Sequence, residues 1–395
     1  MATQQIKDIL GTEIPPPTFV FKPTQAGALP DEFSYDTASD LYYFDPGSGI
    51  YKLRPGSNNT IPRIGTPNQG VYIESGLENE VAYSDDYSNH WNGFGDTAAN
   101  TTKTPFLENG KPVGLSDKSG IPTADNHIRK VGGTFSGGKE THYVICEQGG
   151  ADKVAFGPDW TDQLGSHRIE YRFSTDTVSI TFDRDTGRVL RAERRILKES
   201  GPNDGRVVML ILELGTGGNG GKTQENRFYY DRDGNGASTV LHHVQNQNTL
   251  RLHTPIRTTG ASVTASTEKP KIVHGASGSR EPWFQADSHT VLFEYVPLSY
   301  RSPGQQFIQK SGRGRIEITN AANPPFSLST QGTNPKTAPN IEPFKVNRGA
   351  IALSASGYSL ASNGSVVGEG GGTFSRWRGG ERWLFGNVYP IAVAL

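Results

Sequence analysis

From Thr141 onward the chain breaks into short runs of alternating or continuous apolar residues: THYVICEQ (141–148), KVAF (153–156), HRIEYRF (167–173), TVSITFD (177–183), GRVLRAE (187–193) and RVVMLILEL (206–214). Gly, Asp or Pro separates them, and evenly spaced short strands predict a sandwich or jelly roll. A second series runs from HTVLFEYV (289–296) through QQFIQK (305–310) and GRIEIT (314–319). It continues with GAIALSA (349–355), YSLASNG (358–364), SVVGEG (365–370) and WLFGNVYPIAVAL (383–395), predicting a second sandwich. Between the two series, Thr254 to His274 carries seven Ser or Thr and reads as an extended connector, with a boundary near 265–280. The blocks 116–126 and 321–343 read as turn-rich loops.

Ahead of these strands, Gln4 to Leu10 is the one good amphipathic helical turn, and Pro15-Pro16-Pro17 stops it. The segment FSYDTASDLYYFDPGSGIY (33–51) sets aromatic residues around the turn signal Asp45-Pro46-Gly47, as a hairpin would. The fold class is therefore all-β: tandem β-sandwich (jelly-roll) domains with a short N-terminal tether, divided as 1–60, 61–265 and 266–395.

Composition sharpens this picture. Gly 48 and Pro 25 with only 34% hydrophobic residues disfavour helices. A formal charge of −1 removes the electrostatic footprint of a nucleic-acid binder. The balance is uneven along the chain: residues 1–100 hold 13 acidic against 5 basic side chains, and residues 301–395 hold 10 basic against 4 acidic. Such a split can orient subunits in an assembly or simply be a solvated surface. The single cysteine, Cys146, excludes an intrachain disulfide and reads as a buried strand residue. No apolar stretch of 18 residues suggests membrane insertion, and Met1 to Leu10 lacks the order of a signal peptide, so the expectation is a chain made soluble in a cytoplasm.

Candidate chemistry is sparse. Asp231-Arg232-Asp233-Gly234-Asn235-Gly236 spaces Asp231 and Asp233 as a calcium loop does, but it lacks the twelfth-position Glu, so it reads first as a hairpin turn with calcium as the alternative. Adjacent His242 and His243 should point to opposite faces of a strand and so read as structural. The Gly-rich stretch 215–221 resembles a phosphate loop in spacing only, because a strand follows it rather than a helix. No catalytic arrangement stands out, so no enzyme and no cofactor beyond that calcium alternative is expected. Aromatic residues in polar surroundings are the stronger lead, since sugar rings stack on them: Trp91, Phe94, Trp160, Tyr229 and Tyr230 are the candidate glycan platforms, with core packing as the alternative for each. Arg376 and Arg378 beside Trp377 read as a contact for another chain.

Several stretches resemble one architecture of tailed-bacteriophage virion proteins, a carbohydrate-binding-module-like jelly roll followed by a concanavalin/laminin-G-like domain. Gly70-Val71-Tyr72-Ile73-Glu74, Glu78-Asn79, Tyr83-Ser84-Asp85-Asp86-Tyr87-Ser88-Asn89 and Trp91 resemble its opening segment. Phe182-Asp183-Arg184-Asp185-Thr186-Gly187-Arg188-Val189 resembles an internal hairpin, and Thr254-Pro255-Ile256-Arg257-Thr258-Thr259-Gly260-Ala261-Ser262-Val263-Thr264 resembles its closing segment. Gly349 to Leu353, Tyr358 to Leu360, Asn363-Gly364 and the stretch Phe385 to Leu395 resemble strands and a turn of the second domain. The resemblance implies a virion location on tail or head surface, as a fibre or tail-associated adhesion subunit. The partners it implies are copies of the same chain, as a trimer by analogy with fibres, other virion proteins through the N-terminal arm, and a host cell-surface glycan. A decoration protein that binds no sugar and a polysaccharide depolymerase are the alternatives.

Overall fold

The computed structural model describes residues 33–36, 40–45, 47–55, 64–65, 70–73, 77–87, 91–94, 97–117, 124–134, 138–160, 167–183, 188–217, 223–250, 252–265, 269–272, 289–297, 305–309, 315–319, 326–331, 337–342, 345–353, 358–370, 383–384 and 391–394. The helical turn and proline run expected at 4–17, the internal-hairpin turn at 184–187, and Arg376 to Arg378 lie outside them. Among the described residues every regular element is a strand, and all strand pairs within the sheets are antiparallel.

The first sandwich has two six-stranded sheets. One, the front sheet, runs in the order Thr177–Asp183, His167–Arg172, Lys153–Trp160, Thr223–Tyr229, His127–Thr134, Asn92–Phe94. The back sheet runs Val189–Lys198, Val207–Leu214, Glu140–Gln148, Thr239–Gln247, Val113–Asp117, Thr97–Asn100. Between them lies a continuous core to which the front sheet gives Val154, Phe156, Ile169, Tyr171 and Phe228, and the back sheet gives Val144, Cys146, Val208, Leu210, Leu212 and Leu241. Cys146 is wholly buried there, and burial drives its thiol pKa far up, so it is inert.

The back sheet is covered on both faces, which explains the unbroken apolar run VVMLILEL. Val208, Leu210 and Leu212 face the sandwich core, while Val207, Met209 and Ile211 join Tyr143 and Ile145 in a second cluster with Tyr42, Tyr51, Phe106, Leu107 and Leu252. The cover is the hairpin Leu41–Asp45 and Ile50–Arg54, whose turn falls where Asp45-Pro46-Gly47 placed it. It is pinned by Tyr51 N–H donating to the Phe106 carbonyl at 2.9 Å, Glu108 N–H to the Tyr51 carbonyl at 2.8 Å and Leu53 N–H to the Glu108 carboxylate at 2.7 Å.

The second pair of sheets crosses the expected boundaries at 60 and 265. Phe33–Asp36 pairs with Lys269–Ile272, which pairs with Trp383–Leu384 in a seven-stranded sheet. Ile64–Gly65 and Gly70–Ile73, expected within 61–265, pair instead with each other and with Ile391–Ala394, in the sheet of His289–Pro297, Asn347–Leu353, Tyr358–Ser362 and Ser365–Gly370. The first sandwich is thus an insertion between strands of the second. The block 321–343 is not all turn: Phe326–Gln331 and Thr337–Ile341 are neighbouring strands. Ser, Thr and Gln alternate there with few apolar residues, which hides the period of 2. Asn363-Gly364 is the hairpin turn expected, with φ of 46° and 82°, the double positive φ of a type I′ turn.

The stretch 254–265 is not a loose connector. Ile256 and Ala265 are buried with Leu41 and Leu77, and Val263-Thr264 pairs with Asn79 and Glu78. Thr258 N–H donates to Ser84 Oγ at 3.0 Å, Ser84 N–H donates to Thr258 Oγ1 at 2.8 Å, Asn79 Nδ2 donates to the Ile256 carbonyl at 2.8 Å, and Arg257 Nε pairs with Asp85 at 3.0 Å. The opening and closing segments of the sandwich form one polar clasp. Ser and Thr supply its hydrogen bonds, so the composition that suggested a linker is the clasp's own chemistry.

Candidate functional site

Along the central strands of the first sandwich the interior changes from apolar to polar at one level. In the back sheet, Val144 lies opposite Val244, and two residues on His142 lies opposite Asn246. In the front sheet, Ile128 lies opposite Phe228, then Lys130 opposite Asn226 and Gly132 opposite Gln224. Period-2 alternation carries Glu140, His142, Asn246, Gln224 and Asn226 onto the core-facing sides. Glu140, His142, Gln224 and Asn226 are 0% exposed.

A hydrogen-bond chain joins the sheets across this end. His142 Nε2 lies 2.9 Å from Glu140 Oε2 and 3.4 Å from Gln224 Nε2. Both nitrogens are donors if His142 donates to Glu140, so the shorter contact is the hydrogen bond. Asn246 Nδ2 donates to Gln224 Oε1 at 3.0 Å and to Glu80 Oε2 at 3.3 Å. Asn248 donates to Glu80 Oε1. Glu80 is half-buried and its carboxyl is pushed up to about 7, by burial first and then by the charges of Glu140 and Glu78. Both amide atoms of Asn226, Glu140 Oε1, His142 Nδ1 and Asn246 Oδ1 are buried and make no hydrogen bond within the protein. Buried polar atoms in folded proteins are almost always satisfied, so ordered water is expected to bridge these atoms. Glu80 and exposed Asn248 lie at the outer side of this polar level, and Lys130, on the same side of its strand as core Ile128, holds its Nζ 5.0 Å from the centre of the Tyr83 ring. Tyr83 has φ 58°, an uncommon conformation for a bulky side chain.

The aromatic platforms expected from sequence are elsewhere or buried. Trp91 is 8% exposed, packed edge-on against Tyr87 at 5.1 Å, and its indole N–H donates to the Tyr83 carbonyl at 3.0 Å. Tyr230 is wholly buried, its hydroxyl donating to Asp117 Oδ1 at 2.8 Å. Tyr229 lies on the outer face of the front sheet, but the Arg168 guanidinium covers its ring at 4.3 Å, with His127 at 4.7 Å and Arg232 at 5.3 Å. Asp159, Glu225 and Arg227 complete that charge lattice, and burial pushes the His127 ring down to about 4. None of these three offers a free face to a sugar, because each ring is already stacked or enclosed. The side chains of Phe94 and Trp160 lie outside the described residues.

Asp231 and Asp233 have partners within the protein that suit the turn reading. Asp231 Oδ2 accepts from the N–H groups of Asn235, Gly236 and Ala237 at 3.0, 2.8 and 3.0 Å, the carboxylate-capped turn of a hairpin end. Asp233 pairs with Arg172 at 3.2 Å and Lys153 at 3.6 Å. His242 and His243 also differ from expectation. A bulge between Ile145 and Cys146 leaves His242 unpaired, and both rings face the outer cluster, against Phe106 and Tyr143 respectively. They remain structural: His242 is bonded to Glu147 at 2.9 Å and His243 to Gln245 at 3.0 Å. The Gly-rich stretch 215–221 leads into the strand Thr223–Tyr229 rather than a helix, as expected.

No protein-family model and no curated protein sequence matches the chain. Among solved structures it is similar to the N-terminal CBM22-1-CBM22-2 tandem domain of Xyn10C from Paenibacillus barcinonensis, at 9% identity and a TM-score of 0.26, over 82% of this chain and 96% of that one.

Proposed function

We propose that this chain is a bacteriophage virion surface protein that binds a host-surface glycan without chemically altering it. The carrying observation is the polar end of the first sandwich, where amides, a carboxylate and an imidazole share one interior level and the bonds of Asn246 and Asn248 to Glu80 lead outward from it. Neutral amides and carboxylates are the groups that grip hydroxyls. The virion placement rests on the resemblance of 70–91, 182–189, 254–264 and 349–395. A fibre or tail location, self-association and attachment through the N-terminal arm belong to the same reading. Binding of the full-length chain to host cells or purified lipopolysaccharide, and labelling of intact virions with an antibody against it, test the two halves separately. Absence from the particle removes the first half, and absence of binding removes the second.

One observation favours a second reading. Glu80, with its carboxyl near 7 and Glu140 as a close negative neighbour, resembles the paired carboxylates of glycoside hydrolysis. Release of reducing ends from host capsule by the wild-type chain, lost in Glu80→Gln, would establish a depolymerase instead.

A further inference from the structure

We infer that a pocket at the other end of the first sandwich is a second sugar site, taking one neutral, hydroxyl-rich ring of a glycan. The inference rests on the glycan-binding reading and adds a place of contact to it. Glu140 and His142 stand at one end of the strand Glu140–Gln148, and the pocket lies at the opposite end, with a volume of about 370 Å³. That falls within the range of small-molecule sites, roughly 300–1,000 Å³. Its lining includes Gln148, Glu199 and the loop Asn203 to Arg206. This loop is held in place by the protein itself. The wholly buried Glu147 carboxylate accepts from Asn203 N–H at 2.7 Å, Asn203 Nδ2 at 2.8 Å and Gly205 N–H at 3.0 Å, and is bonded to His242 at 2.9 Å. Asn203 also exchanges two hydrogen bonds with the Thr104 backbone, at 3.0 and 2.9 Å. A methyl group on Gly205 would come 1.8 Å from the Gln148 carbonyl oxygen, so two backbones meet there and fix the wall. A site already ordered loses little conformational entropy on binding.

The lining offers both halves of a hydrogen bond. The carboxylates of Glu199 and Asp204 accept, the Arg206 guanidinium donates, and the Gln148 amide does both. Arg206 is steadied by Glu199 at 2.8 Å and by the Phe173 carbonyl at 3.3 Å, whereas the Asp204 carboxylate and the Gln148 amide have no partner among the described residues. Vicinal hydroxyls donate and accept at adjacent atoms, so a sugar ring matches this mixture. A phosphate or sulfate would meet two carboxylates against one guanidinium already bonded to one of them. An apolar guest would leave these polar groups desolvated and unmatched. The lining holds no aromatic ring for a sugar to stack on, so each contact is weak and affinity comes from several sites engaging one glycan.

The test follows backbone amide shifts of the full-length chain by NMR, with the methyl glycosides of glucose, galactose and mannose and purified host polysaccharide as probes. At least one probe should shift the amides of Gln148 and of Asn203 to Arg206. Asp204→Gly should weaken that binding about tenfold, the loss of one hydrogen bond to a charged group. It should not lower the melting temperature, because glycine adopts the φ of 67° at Asp204 freely. Gln148→Ala should weaken binding in the same way. Shifts confined to other residues, those of Glu80, Asn246 and Asn248 included, would overturn the second site and leave the glycan reading standing. Pocket shifts of equal affinity in the wild type and both variants would overturn the assigned contacts. No shift with any probe would remove the glycan reading itself.

Discussion

Asp231 shows how one side chain decides between two readings of a segment. It is 1% exposed and takes three backbone N–H groups on one oxygen, so its negative charge is spent organising the turn 231–237. Asp231→Ala should cost about 1.5–3 kcal/mol in chemical denaturation, the range for hydrogen bonds to a charged group. Calcium should leave the wild-type melting temperature where chelator leaves it, and a calcium-dependent rise would reinstate the cation loop. Glu80 gives a pH prediction. Its folded pKa, about 7, lies above the ordinary 4.5, so the stability it contributes is full below about 4.5 and is lost as pH rises towards 7. Asp85, pushed up to about 6 by burial, titrates in the same sense, whereas His127 and His243, pushed down to about 4, favour the folded state at higher pH. The difference in stability between wild type and Glu80→Gln should therefore shrink in favour of the variant from pH 4.5 to 7, and a flat difference would show that Glu80 titrates normally. The site residues were not legible in sequence. Glu140, His142 and Asn246 sit in strands read as apolar or unmarked, and only the pairing of four strands reveals that they share one interior level.

Strands were more legible than sites because alternation and turn chemistry are local. TVSITFD and SVVGEG coincide with the observed Thr177–Asp183 and Ser365–Gly370, and Asn363-Gly364 forms the turn that its residues demand. What local pattern misses is a bulge. One extra residue at His242 carries both histidines to one side, against the period of 2 that separated them. It also misses polar strands such as Phe326–Gln331, where only pairing with Arg315–Thr319 and Thr337–Ile341 fixes the conformation. Gly364 isolates the conformational term: at φ 82° a methyl group would meet no atom within 4 Å. Gly364→Ala should thus cost about 1 kcal/mol from the left-handed backbone alone, with an unchanged denaturant slope. Gly157 is the opposite case, since a methyl there would come 1.8 Å from the His167 carbonyl oxygen that the neighbouring strand brings against it. A loss at Gly364→Ala as large as at Gly157→Ala would mean that the turn is packed rather than free.

At the scale of the molecule, chain order and sheet order part company. All three apolar clusters of the first sandwich, with its clasp and covering hairpin, fall within residues 41–265. The second pair of sheets has no such closure, because Phe33–Asp36 flanks Lys269–Ile272 and Gly70–Ile73 flanks Ile391–Ala394. Without residues 1–73, both partners become edges with unpaired N–H and carbonyl groups, the condition under which strands recruit other chains. The fragment 40–265 should therefore unfold cooperatively by itself, whereas 269–395 expressed alone should aggregate or lack a cooperative transition. Coexpression of 269–395 with 30–265 should restore solubility by returning the three missing strands, Phe33–Asp36, Ile64–Gly65 and Gly70–Ile73. Circular dichroism melts and light scattering on the three preparations read this directly. A soluble, cooperatively melting 269–395 would show that the pairing across the insertion is dispensable, and that the boundary near 265 suggested by composition is the one the chain respects.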